Sequence, residues 1–444
     1  MKTMNKKGIV LVTILLLIGT TVLPTITSGS IEEIGIQRYD SVSAASNTDQ
    51  ELDLLHGETF FNITGVSEDI NSFNFTYTIP PNYENQAPIF FDIRDDTTTK
   101  IINYSMSNDT NQPNKVVTLE MGPIKKGENA FLHFDFWVLV KNNDYEDLPE
   151  YVEIPAEEEL PEDTKIWLAS TKAIQANNTL IKLKAKQLLR RSDNNLLNLA
   201  NNIVLFTLKS GFYLRKFHLV PIVYNFLDFL FKNRITPGEW ARYNDALSKL
   251  LFRIGSCTGD ANLGTALFRA NGIPAKDLIV MPANGYWYNI HYICEYYCPS
   301  YGWVLAETSQ AITPYMPKNV IIIRVNYPED EDLAGTGFDY YGGCEQWYWK
   351  DNKNIVGYVR TKAFNNKELT TTSSNAIISF KATQKIWEKF TQYAGLPLSG
   401  ENKNHFDNAT KAQENAINCF LQSNIDGYME NITYAYDEYK KIII

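Results

Sequence analysis

Residues 255–309 constrain this chain more than any other stretch. The segment GSCTGDANLGTALFRANGIPAKD, Gly255 to Asp277, spells a helix that starts near Cys257. Ser256 and Thr258 favour a helix N-terminus, Gly272 suits the position just past a C-terminus, and Pro274 forbids continuation. Ala261, Gly264 and Phe268 share one stripe with Cys257, and Leu263, Ala266, Leu267 and Ala270 share another. A helix apolar on most sides has to be central. Next comes NIHYICEYYCPSYGWVLAETS, with aromatic and β-branched residues on both sides of Pro299-Ser300, which is the pattern of a β-hairpin. A loop centred near Pro299 sets His291 opposite Glu307, Ile293 opposite Leu305 and Glu295 opposite Trp303. Side chains alternate along strands, so these six share one face. Cys294 and Cys298 have the other parity and belong to the core or to a bridge.

Cys257 alone admits three readings: a small buried hydrophobe, half of a disulfide, or a nucleophile. The first turn of a helix sees the positive end of the dipole, which favours the reactive thiolate. Directly opposed strand residues have Cβ atoms about 4.5–5.5 Å apart, so Glu307 is placed to orient the His291 imidazole and stabilise its charged form. Nucleophile, base and orienting acid are what covalent thiol catalysis requires within mutual reach. The structural alternative is a buried cysteine beside an unrelated His–Glu pair. Tyr286, Trp287, Asn289 and Trp303 are candidates for the walls of a substrate cleft.

Around this segment the periodicity divides the chain. Residues 51–150 alternate with period two, as in Phe73, Phe75, Tyr77 and Ile79, or Leu132, Phe134, Phe136, Val138 and Val140. The expected structure is an all-β sandwich domain, serving recognition, spacing or packing alone. The acidic, proline-bearing stretch DLPEYVEIPAEEELPED is a linker with solvated carboxylates. Residues 160–345 form the domain that holds the motif, entered through an amphipathic helix that carries Ile166, Leu168, Ala169, Ala173 and Ile174. LLNLANNIVLFTLKSGFYL is a second helix, and VPIVYNFLDFLFKN a buried one. YPEDEDLAGTGFDYYGG is an acidic, glycine-rich loop without EF-hand spacing. Residues 374–444 read as a helical hairpin whose second member runs from about Asn408 to Lys441.

Lys2, Lys6 and Lys7 precede a nearly unbroken apolar run from Ile9 to Leu23, followed by Pro24 and small residues. This describes residues 1–29 as an export signal or an uncleaved anchor, and residues 30–50 as a polar linker. Either way the rest is expected outside the cytoplasm, secreted or at the cell surface, with the membrane touched only through such an anchor. Seven Asn-x-Ser/Thr sequons, at Asn62, Asn74, Asn103, Asn108, Asn177, Asn408 and Asn431, fit export. A net charge of −10 without a basic cluster argues against nucleic acid. Five cysteines are too few for a disulfide scaffold; Cys294, Cys298, Cys344 and Cys419 leave Cys257 as the odd one.

The motif resembles the transglutaminase-like superfamily, a branch of the papain-like thiol enzymes, over roughly Leu247 to Ser309. The matching pieces are Gly255-Ser256-Cys257, Ala266-Leu267 with Arg269, Gly272-Ile273-Pro274-Ala275, His291, Glu295, Gly302-Trp303-Val304 and Glu307. The resemblance implies an α+β fold: a papain/transglutaminase-like core with a central Cys helix packed on an antiparallel sheet. It implies a triad of Cys257, His291 and Glu307 that cleaves, deamidates or transfers acyl groups at amide or isopeptide bonds. No metal or organic cofactor is implied, and the substrate is a protein, a peptide or a cell-envelope polymer. The alternative is a weakly active or inactive relative that binds peptide or cell wall. The family usually has Asp where Glu307 stands, an aromatic at Ile293 and Arg at Lys276, so one extra methylene has to be absorbed at Glu307.

Overall fold

The computed structural model describes residues 49–64, 66–142, 145–216, 244–253, 256–287, 290–299, 301–331, 346–348 and 356–443. The export signal, nearly all of the 30–50 linker, the apolar segment 220–233, most of the acidic glycine-rich loop, Gly255, Asn289 and Cys344 lie outside them.

The alternating segments are strands: β1 (Asp49–Thr64), β2 (Phe73–Ile79), β3 (Gln86–Ile93), β4 (Ile101–Asn108), β5 (Lys115–Met121) and β6 (Ala130–Lys141). β2, β5 and β4 make one antiparallel sheet. Its inward residues Phe75, Tyr77, Val117 and Leu119 meet Phe61, Phe134 and Phe136 of β1 and β6 in one core. Phe61 stands edge-on to Phe75 at 4.9 Å and to Tyr77 at 4.5 Å, the favoured arrangement for aromatic quadrupoles.

The helices before the motif are α1 (Thr179–Leu189), α2 (Leu196–Lys216) and α3 (Ala246–Phe252), and the Cys helix is α4 (Cys257–Ala270). The amphipathic helix expected from Ile166 to Ile174 is absent. Short helical turns at Glu162–Lys165 and Ile166–Leu168 end at Ala169. Thr171 then closes its own turn, its hydroxyl accepting from the Ile174 N–H at 3.1 Å, a side-chain alternative to helix bonding. Ala173 and Ile174 still reach the core, but from an irregular turn.

α4 packs on an antiparallel sheet of β7 (Ala275–Pro282), β8 (His291–Cys298), β9 (Gly302–Ala306) and β10 (Val320–Asn326), in the order β10-β7-β8-β9. Leu263, Ala266, Leu267 and Phe268 bury against Cys294, Tyr296, Cys298, Val304 and Ala306. Phe268 stacks on Tyr296 at 4.8 Å. Cys294, Cys298 and Cys419 are free thiols. The remaining strands are β11 (Gln346–Tyr348) and β12 (Val356–Thr372).

β12 was not legible as a strand, yet it pairs with β1 from Asp49↔Thr372 to Thr64↔Val356 and completes the sheet β11-β12-β1-β6-β3. The first β-region therefore closes with chain from beyond the motif, and β1, otherwise an edge with unpaired backbone groups, becomes internal. Its inner face also meets the Cys-helix region: a Cβ added at Gly57 would stand 2.9 Å from Ile321 Cδ1 and 3.1 Å from Met281 Cε. Thr48–Ile444 accordingly form one compact unit.

The C-terminal region differs from a two-helix hairpin. It forms α5 (Ser373–Tyr393), α6 (Gly400–Leu421) and α7 (Ile425–Lys440). Ser423 takes φ +61°, and the Asn424 side chain accepts from Gly427 N–H, so one long helix becomes two. These helices cover the outer face of the five-stranded sheet, placing Phe380, Ile386, Phe420 and Tyr428 over Leu52, Leu54, Ile89 and Leu139. Among the described residues no helix is long and apolar enough to cross a membrane.

Candidate active site

Cys257 is the first residue of α4, preceded by Ser256 in extended conformation. Asn244 holds this entry. Its Oδ1 accepts from the Ser256 N–H at 2.9 Å, and its carbonyl accepts from Asn262 Nδ2 at 2.8 Å. The sulfur is therefore fixed where the first backbone N–H groups of the helix point outward, beside the Ile290 carbonyl at 4.0 Å.

His291 opens β8, the next residue along. Its Nε2 meets Glu307 Oε2 at 2.5 Å. The Cys257 side chain also acts on the ring, through its charge and through hydrogen bonding. The imidazole thus answers to both thiol and carboxylate. Burial works against its charge, but the Cys257 charge and hydrogen bond and the Glu307 hydrogen bond outweigh that, and the pKa rises well above the usual histidine value. An imidazolium facing a sulfur is the environment that favours the thiolate.

The hairpin register differs from the sequence expectation by two residues. Cys298 pairs with Gly302 and Cys294 with Ala306, so the loop is centred on residue 300 and Gly302 takes φ +110°. A slip of two preserves which face each side chain occupies. It makes His291 and Glu307 diagonal instead of directly opposed. Diagonal neighbours are about 7–8 Å apart at Cα, within reach only of long side chains. The methylene by which Glu exceeds Asp is absorbed by this diagonal.

Glu307 is fully buried, and its other oxygen accepts from the Ser309 N–H at 2.8 Å. The Ser309 hydroxyl donates to Asp260 Oδ2 at 3.3 Å, and Asp260 pairs with Lys249 at 2.8 Å, both fully buried. Asn244, Asp260 and Ser309 were not singled out in the sequence. The available signal was the i, i+3 spacing of Cys257 and Asp260 on one helix face.

The cleft candidates fare unequally. Tyr286 and Trp287 are exposed, 69% and 42%. Their loop is fastened to β12, with the Gly285 N–H donating to Ala363 O at 2.8 Å, Trp287 edge-on to Phe60 at 5.1 Å and Lys362 over its ring at 5.6 Å. Trp303 serves a different purpose. Lys276 Nζ lies 3.4 Å from its ring centroid, inside a buried cluster with Glu295 and Tyr83. Tyr83 O–H donates to Glu295 at 2.5 Å, tying the β2–β3 loop to the back of the motif sheet. Arg269 is likewise structural: it forks onto Glu331 and also donates to the Ala275 and Ala169 carbonyls. Glu331 lies in the first part of the acidic loop and is buried.

Residues 222–308 match the family model of the transglutaminase-like superfamily. A solved structure of a candidate cysteine protease from Cytophaga hutchinsonii is similar over 73% of this chain and 88% of its own, at 14% identity and a TM-score of 0.42. No curated protein sequence matches. The matched stretch contains the thiol, the imidazole and the carboxylate.

Proposed function

We propose that this chain is an exported thiol enzyme that acts on amide or isopeptide bonds through Cys257, His291 and Glu307. One observation carries the reading: the His291 imidazole answers to both the Cys257 side chain and the buried Glu307 carboxylate. Glu307 fixes the ring and favours its protonated form, and the imidazolium favours the thiolate. The thiolate attacks an amide carbonyl, and the Cys257 N–H at the helix start is placed to stabilise the developing oxyanion. His291 passes its proton to the departing amine, leaving a thioester. Water resolves the thioester to an acid, or a second amine resolves it to a new amide. The chemistry uses no metal or organic cofactor. Cell-envelope polymers crosslinked through peptides are the proposed substrate class, reached after export by the N-terminal signal.

The test is incubation with cell-wall fragments and amine donors, followed by mass analysis of the products. The wild type is expected to release peptide or incorporate amine, and Cys257→Ala to do neither. Equal product from both proteins overturns the proposal.

A further inference from the structure

The stripe of α4 that carries Cys257 does more than present sulfur. Residues 257, 260 and 264 are spaced three and four apart and so share one face of the helix. Asp260, one turn past the cysteine, accepts from the Ser309 hydroxyl. Gly264, one turn further, faces the neighbouring residue: a Cβ built there would stand 2.7 Å from Thr308 Cγ2. Both contacts fall on the same short turn, 307–309, whose first residue is Glu307 and whose Ser309 N–H donates to that carboxylate. A hydroxyl from α2 secures the same turn from behind, Thr207 Oγ1 donating to the Thr308 carbonyl at 3.1 Å. Lys249, on α3, supplies the counter-charge that lets the Asp260 carboxylate stay buried.

From this juxtaposition we infer that Asp260, Ser309 and Gly264 are positioning residues, through which the helix bearing the nucleophile sets the place of the Glu307 carboxylate that holds His291. The inference rests on the proposed roles of Cys257, His291 and Glu307. Its physical content is that nucleophile and acid are not placed independently. Cys257 and Asp260 belong to one rigid helix, and Asp260 reaches Glu307 through a single residue. Any displacement of α4 therefore carries the acid with the sulfur, and the imidazole keeps both partners. Gly264 is required by close approach, since any side chain there pushes the turn away.

The experiment measures the rate at which iodoacetamide alkylates Cys257 in the full chain between pH 4 and 10, read by peptide mass analysis. It compares the wild type with Ser309→Ala, Gly264→Ala and Ser309→Thr. Ser309→Ala removes one hydroxyl from a partly exposed residue. Gly264→Ala raises helix propensity, so an effect there cannot come from a weakened helix. The wild type is expected to ionise at acidic pH. Ser309→Ala and Gly264→Ala are expected to raise the midpoint by about half a unit to one unit, with rates below it falling about three- to tenfold. Ser309→Thr, which keeps the hydroxyl, is expected to restore the wild-type profile. An acidic wild-type midpoint left unmoved by both alanine variants overturns this inference and leaves the proposed roles of the three residues standing. An ordinary thiol profile in the wild type overturns those roles, and the inference with them.

Discussion

Replacing Glu307 by Gln tests the central interaction with the least change of shape. Gln keeps the length, the buried volume and an acceptor for the Ser309 N–H, but it loses the charge and turns an amide N–H toward His291 where a carboxylate oxygen stood. A hydrogen bond to a charged group contributes about 1.5–3 kcal/mol, and a neutral one about 1 kcal/mol. Glu307 is fully buried and 2.5 Å from His291 Nε2, so salt screens the pair weakly. The charged form of His291 should therefore lose roughly 1–2 kcal/mol, and the Cys257 thiolate should become about 5- to 30-fold scarcer in the acidic range. The same alkylation profile reads this as an upward midpoint shift of about one unit. Cys294 and Cys298 do not confuse the readout, because burial pushes both thiols up, Cys298 to about 11. Glu307→Asp separates charge from reach. It keeps the carboxylate but shortens the arm across the diagonal, so its profile should resemble that of Gln. Superimposable profiles for wild type and Gln would refute the account of how the site is charged. A wild-type profile for Asp would refute the diagonal as the reason for Glu. The sign for stability follows from the raised pKa of His291. The contribution of its pair is fully present below the unfolded value of about 6.5 and is lost as pH rises through the higher folded value. Chemical denaturation should accordingly show Glu307→Gln more destabilised near pH 6 than at alkaline pH.

Three further outcomes are expected. Burial raises the Asp53 carboxyl to about 7, with Glu51 and Glu368 adding to the effect against Asn365 and Lys318. The folded state then holds a proton that the unfolded state releases near 3.8, so stability falls as pH rises from that value through about 7. Asp53→Asn should remove this loss, and its advantage in thermal denaturation should grow between pH 4 and 8, up to about 4 kcal/mol; parallel curves would contradict it. Lys276→Met should cost about 3–5 kcal/mol in denaturant titration because it strands the buried Glu295 carboxylate, and Lys276→Met with Glu295→Gln should recover most of that. Phe268→Ala, which empties the contact between α4 and Tyr296, should cost about 3–5 kcal/mol, and a loss under 1 kcal/mol would mean that the helix is not packed as described.

What the sequence revealed follows from where local rules act alone. α4 was legible to within a residue or two, because Ser256 at one end and Gly272-Ile273-Pro274 at the other mark its limits by backbone chemistry. The faces of β8 and β9 were legible because alternation survives any even slip. Their register was not, since it depends on which three residues close the loop, and Pro299 alone marks the wrong centre. β12 escaped notice for another reason. Its inward residues Val359, Thr361 and Ala363 are small or polar, while Lys362 and Phe364 point the other way, so its apolar alternation is faint. Its place is decided by β1, some three hundred residues earlier, which supplies the unpaired backbone groups. That distant pairing reaches the site as well. β12 receives the Gly285 N–H, and so fastens the loop of Tyr286 and Trp287 just ahead of His291. A strand with little hydrophobic signal thus fastens the segment that leads into β8. The 51–150 region therefore cannot be a detachable spacer: β1 holds β12, and β12 holds the loop that leads into the imidazole.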